Sequence, residues 1–210
     1  MTKVARFITL EGSEGAGKTT ALKTIKKILN KWGVEYICTR EPGGEPNAEK
    51  IREILLHSEH LHAKTELLLM FAARNEHIEN IIKPALAKGV WVISDRFVDA
   101  SYAYQGGGRE LGYDTVKWMD DYIVGATQAD FTVLMDIDPE IGLERIKSRG
   151  QADRIEQEGI DFFHRITHSY RKKAKLQPDR YAIIDAALSY SAVKRSIISV
   201  FDDKKEELMQ

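Results

Sequence analysis

Eight consecutive residues, Gly12-Ser13-Glu14-Gly15-Ala16-Gly17-Lys18-Thr19, carry the spacing G-x-x-x-x-G-K-[ST]. Glycines at those intervals permit a tight curl of the backbone. Successive N–H groups and the start of the following helix then converge on phosphate oxygens. Lys18 adds a point charge for the β- and γ-phosphates, the Thr19 hydroxyl suits Mg²⁺, and Thr20 closes the nucleotide-binding stretch. The pattern predicts a nucleoside triphosphate with Mg²⁺ and leaves open a switch, a motor or a kinase. A GTPase would carry Asn-Lys-x-Asp, but Asn30-Lys31-Trp32-Gly33 lacks the aspartate and no Asp-x-x-Gly occurs. A phosphotransferase or a small ATPase fits what remains.

Three further clusters could do phosphate chemistry. Asp95-Arg96 follows the apolar run Val90–Ser94. There the carboxylate could hold Mg²⁺ and the guanidinium could grip an acceptor phosphate bidentately, unless the two simply form an ion pair. Thr39-Arg40-Glu41-Pro42-Gly43-Gly44 combines an arginine with a permissive turn and reads as a second anion clamp or as a plain turn, with a cis Glu41-Pro42 bond compatible with its tightness. Glu11 ends the run before the phosphate loop, where it could meet Mg²⁺ or an acceptor sugar, or only solvent.

These residues need a scaffold that brings strand ends together. Short β-rich runs at Phe7–Leu10, Tyr36–Thr39, Val90–Ser94, Phe131–Asp136 and Tyr181–Asp185 alternate with stretches of helical periodicity. That alternation predicts an α/β fold with a parallel five-stranded sheet flanked by helices, its ligand site at the carboxyl ends of the strands. The helical stretches Lys18–Trp32 and Thr65–Lys88 stop at Gly33 and Gly89. Asp138-Pro139-Glu140 reads as cap, first-turn proline and first-turn acid. Ser191–Leu208 reads as a closing helix.

With 210 residues and no linker or repeat, the chain is expected to form one domain. Lys and Arg total 31 against 32 Asp and Glu, a net charge of −1, which argues against a nucleic-acid partner. The longest apolar run, Leu67–Ala73, is far short of a membrane span, and Met1–Arg6 shows no signal pattern, so a cytoplasmic protein is expected. The single cysteine, Cys38, is expected to fill a core position.

Taken together, Arg40-Glu41-Pro42-Gly43-Gly44, Leu69-Met70-Phe71-Ala72-Ala73-Arg74, Asp95-Arg96-Phe97, Ala103-Tyr104-Gln105-Gly106-Gly107-Gly108-Arg109 and Asp153-Arg154-Ile155-Glu156 resemble, in that order, the thymidylate kinase family, and its bacterial members most. The resemblance implies a P-loop NTPase-type fold that transfers the γ-phosphoryl of ATP to dTMP with Mg²⁺, commonly as a homodimer. It implies that Phe71 stacks on the pyrimidine, Arg74 donates to the thymine O4, Ser101 meets the base edge, and Tyr104 with Gln105 lines base and deoxyribose. One branch of the family has an arginine at the position of Gly15. The branch this chain resembles supplies it from a small mobile lid, here about residues 145–158, making Arg149 the expected catalytic arginine and Arg154 the second choice. A related kinase with another nucleoside acceptor, or an ATPase acting on a protein partner, is the alternative reading.

Overall fold

A computed structural model of the chain describes residues 4–147 and 153–210. Its sheet is fully parallel, ordered β2-β3-β1-β4-β5, from β1 (Phe7–Glu11), β2 (Tyr36–Arg40), β3 (Trp91–Asp95), β4 (Phe131–Asp136) and β5 (Tyr181–Asp185). The three central strands are almost wholly buried because helices cover both faces, which is why their sequences are nearly continuous apolar runs. On one face Ile8, Leu10, Ile93, Val133 and Met135 pack against α1 (Lys18–Trp32) and α9 (Tyr190–Met209). On the other, Phe7 and Val92 pack with Leu67 and Phe71 of α3 (Ala63–His77) and with Phe97, while Leu134 packs with α8 (Ile160–Leu176). Each buried aromatic of this kind contributes about 1.5–3 kcal/mol by transfer from water.

The strand order reverses across β1, so the chain leaves β1 and β3 in opposite directions and opens a crevice above their carboxyl ends. Register puts Leu10 and Arg40 level with Asp95, bringing the ends of β1, β2 and β3 to one height. Between β2 and α3 lies α2 (Pro46–His57), started by Pro46 in its first turn and capped by the Glu45 carboxylate on the Ala48 N–H.

Two expectations change. The stretch up to Gly89 is not one α-helix: after α3 it widens into a π-type turn at Ile78–Ile82 and resumes as α4 (Lys83–Ala87). Pro84 has no N–H to donate and its ring crowds the preceding turn, which accounts for the break in register. Cys38 is exposed instead of buried, because β2 is a sheet edge whose residue 38 faces away from the core. The other connections are α5 (Val98–Ser101), a π-type turn at Tyr102–Gly108, α6 (Tyr113–Met119), and α7 (Pro139–Lys147), where Asp138 accepts the Glu140 N–H at 2.9 Å. Glu41-Pro42 is cis.

Candidate active site

The phosphate loop is a backbone site. Gly12, Gly15 and Gly17 have φ of 139°, 71° and 81°, which side-chain-bearing residues rarely adopt, and Gly17 leads directly into α1. Gly15 has a second reason to lack a side chain. A Cβ there would lie 2.1 Å from the Gly142 carbonyl oxygen, since α7 packs straight onto the loop. An arginine could not stand at position 15 without moving α7. Lys18 Nζ donates to the Gly12 and Ser13 carbonyls at 2.9 and 3.0 Å, and burial lowers its pKa to about 8. Ala16 is buried under the loop, and Thr19 and Thr20 open α1.

Beside the loop, at the end of β3, Arg96 stands at φ 70°, a strained conformation for an arginine. It donates to the Gly12 carbonyl at 2.7 Å, to Glu14 Oε1 at 2.7 Å and to the Tyr170 hydroxyl at 3.3 Å, and its guanidinium lies 4.8 Å from the Tyr104 ring centre. Burial works against its charge, but Tyr104, Glu14, Tyr170 and Asp95 outweigh that and hold its pKa well above the ordinary value. Tyr104 donates to the other Glu14 oxygen at 2.5 Å. Next to it, the Oδ1 of Asp95 is buried and has no hydrogen-bond partner among the described residues, an acceptor free for a cation or its water.

These groups border a cleft of about 730 Å³, open mouth included, lined by the polar Glu14, Glu41, Arg52, Glu66, Arg96, Tyr104, Gln105, Asp153 and Arg154 and by the apolar Pro42, Leu55, Leu56, Met70, Ala100 and Ile155. Of the residues singled out from sequence, the structure brings Glu14, Arg96, Tyr104, Gln105 and Arg154 to this cleft.

Others go elsewhere. Phe71 is 0% exposed and packs in the core with Phe7, Leu67 and Phe97, so Met70 provides the α3 side chain in the wall. Arg74, 1% exposed, is committed behind that wall. It donates to Glu41 Oε2 (2.8 Å), Ser101 Oγ (3.0 Å) and the Phe97 carbonyl (3.0 Å), and stacks 4.7 Å from the Phe71 ring. Ser101 is likewise buried as an acceptor for Arg74 and does not line the cleft. Arg40 is exposed and pairs with Glu49 at 2.9 Å, since it ends an edge strand; the arginine that reaches the cleft from this side is Arg52, whose guanidinium donates to the Pro42 carbonyl at 2.8 Å.

Glu11 meets neither solvent nor the cleft lining. Its carboxyl accepts from the Phe97 N–H and the Tyr170 hydroxyl, both at 2.7 Å, and burial first, then Asp99, push its pKa up to about 8. It braces β1 against the residues after β3. Arg154 lines the cleft with its guanidinium already engaged. Its Nε donates to the Leu55 carbonyl at 3.0 Å, and one terminal nitrogen lies 2.8 Å from Glu66 Oε2, close enough for an ion pair though not aligned for a hydrogen bond. Arg149 lies outside the described residues.

Sequence reasoning passed over Met70, Arg52, Glu66 and Glu41. Arg52 had a usable signal, a cation two turns into the helix that follows the Glu41–Gly44 turn. Met70 had none, because Leu67–Ala73 is apolar on every side and its periodicity cannot say which side faces a ligand.

Comparison with known proteins agrees with this geometry. The family model described as Thymidylate kinase matches residues 10–197. A thymidylate kinase of Pseudomonas entomophila (strain L48) is 48% identical over 91% of this chain and 92% of its own length. One of Nitrosospira multiformis is 48% identical over 91% and 94%, and one of Methylobacillus flagellatus 44% identical over 95% and 98%. A phosphate loop, a strand-end arginine beside it and a cleft that this arginine helps to line thus occur in a chain that belongs to the thymidylate kinase family.

Proposed function

We propose that the chain transfers the γ-phosphoryl of ATP to dTMP, giving ADP and dTDP on the way to dTTP. The observation that supports it best is the position of Arg96. It stands against the phosphate loop and also in the wall of a cleft to which Leu55, Leu56, Met70, Ala100 and Ile155 contribute apolar surface. That is a phosphate grip beside a slot for a flat base. In this reading the loop N–H groups hold the donor phosphates and Lys18 exchanges the Gly12 and Ser13 carbonyls for phosphate oxygens. Arg96 exchanges Glu14 for the acceptor phosphate, which frees the Glu14 carboxylate and the Tyr104 hydroxyl for the sugar. The unpaired Asp95 Oδ1 and the Thr19 hydroxyl fit Mg²⁺, which when bound neutralises phosphate charge.

We further assign the whole chain to one kinase domain with residues 145–158 as its lid segment, and Arg149 to the charge that develops on the transferring group. Among the described residues no helix is long and apolar enough to cross a membrane, and we place the reaction in the cytoplasm. A homodimer is supported by exposed apolar side chains on adjoining elements, Leu68 of α3 at 58% and the stacked Trp118 and Tyr122 at 65% and 75%.

The test is ADP release from MgATP with dTMP, dUMP, dCMP, dGMP or UMP, and with no acceptor. Release should be fastest with dTMP and close to silent without acceptor, as expected where water is excluded. Equal release with no acceptor would overturn the kinase reading in favour of an ATPase.

A further inference from the structure

On the wall of the cleft, one buried carboxylate collects three elements. Glu66 of α3 is 1% exposed and accepts from Gln105 Nε2 at 2.7 Å and from Arg109 Nε at 3.2 and 3.4 Å, with Arg154 at 2.8 Å. Arg109 also donates to Glu158. A carboxylate engaged by two guanidiniums is an acceptor only, so the end of the Gln105 amide that faces it must be the NH₂. The other end then has one possible orientation. Gln105 Oε1 points away from Glu66, is buried, and has no hydrogen-bond partner among the described residues, while the residue lines the cleft at 3% exposure. A buried, unpaired acceptor is costly and calls for a donor from the ligand.

We propose that Glu66 is a positioning residue for pyrimidine selection: by locking the Gln105 amide, it presents an acceptor to the ring N3 position. This rests on the dTMP reading above. Thymine and uracil carry an N3–H that satisfies Gln105 Oε1. Cytosine carries a bare N3 lone pair there and sets acceptor against acceptor, leaving two buried groups unpaired. Glu66 touches no substrate atom in this scheme. A glutamine at 66 could offer either an oxygen or an NH₂, so the Gln105 amide would be free to turn and receive cytosine.

The experiment measures kcat/KM for dTMP and for dCMP in the unaltered protein, Glu66→Gln, Gln105→Leu and the double variant, with thermal melting of each. The ratio of dTMP to dCMP should fall about 10- to 100-fold in Glu66→Gln. It should fall comparably in Gln105→Leu, and no further in the double variant, since Glu66 acts through Gln105. If Glu66→Gln slows both acceptors equally and leaves the ratio intact, Glu66 serves only to hold Arg109 and Arg154 and the proposal fails. Should that variant not fold, Gln105→Leu alone decides: an unchanged ratio overturns the proposal. Absence of dTMP phosphorylation in the unaltered protein would instead overturn the parent reading.

Discussion

The two sides of the cleft are made by different means. The donor side is one unbroken stretch, Gly12 to Thr20, in which glycine dihedrals of 139°, 71° and 81° aim main-chain groups, and α7 seals its back through the Gly15–Gly142 approach. The acceptor side has no such stretch. Its walls come from Arg52 and Leu55 of α2, Met70 of α3, Arg96 after β3, Tyr104 and Gln105 of the next turn, and Ile155, and their shape is set by the ion pair of Glu66 with Arg154 in the lining and by that of Glu41 with the fully buried Arg74. A site of main-chain groups survives in a sequence as spacing, because spacing is what sets the curl. A site of side chains from several elements depends on which way each element turns, and that is settled by packing.

The comparison can be broken at three points. With glycine at 15, the stretch Gly12 to Thr20 carries a single cation, Lys18, so Arg149→Ala should lower kcat by about 10³-fold or more while changing the KM for dTMP little. A raised KM with kcat intact would place Arg149 in acceptor binding instead and dissolve the division between the sides. On the acceptor side, two neighbours in sequence should behave oppositely. Met70→Ala is expected to raise the KM for dTMP about tenfold with a small change in melting temperature. Phe71→Leu should cost about 1–2 kcal/mol of stability, through lost core packing and the lost Arg74 contact, with KM nearly unchanged. Exchanged outcomes would mean that α3 turns its other side to the base.

The smallest effect concerns Lys18. Its pKa of about 8 in the free protein is below the ordinary lysine value because burial disfavours the charge, whereas bound phosphates favour the charged form. Affinity for ATP is therefore greatest below pH 8 and falls as pH rises through it, by up to about tenfold between pH 7 and 9 in calorimetric titrations. A flat profile would show that the loop carbonyls keep Lys18 fully protonated.

Much of the scaffold was legible because its signals are local. The five strands, the stop of α1 at Gly33 and the cap at Asp138 all follow from side chains and glycines within a few residues of the feature they specify. The phosphate loop belongs to the same class. The break at Ile78–Ile82 was also local in cause, since Pro84 stood in the sequence, but a proline alone does not say whether a helix ends, kinks or widens.

What only the tertiary structure decided is the set of facings and partners. Cys38 is exposed because β2 is an edge, a fact about strand order and not about the apolar residues around it. Phe71 lies in the core and Met70 in the cleft because a helix apolar on every side takes its orientation from the neighbours it packs against. Glu11 and Arg74 carry charge types that suit a ligand, yet they are enclosed by Tyr170, Phe97, Glu41 and Ser101, residues up to 159 positions away in the chain. By itself the sequence determined the order of elements, the phosphate loop and the chemistry on offer. Which of those side chains reach the ligand was left to long-range packing, where an ionisable group goes wherever its buried partners are.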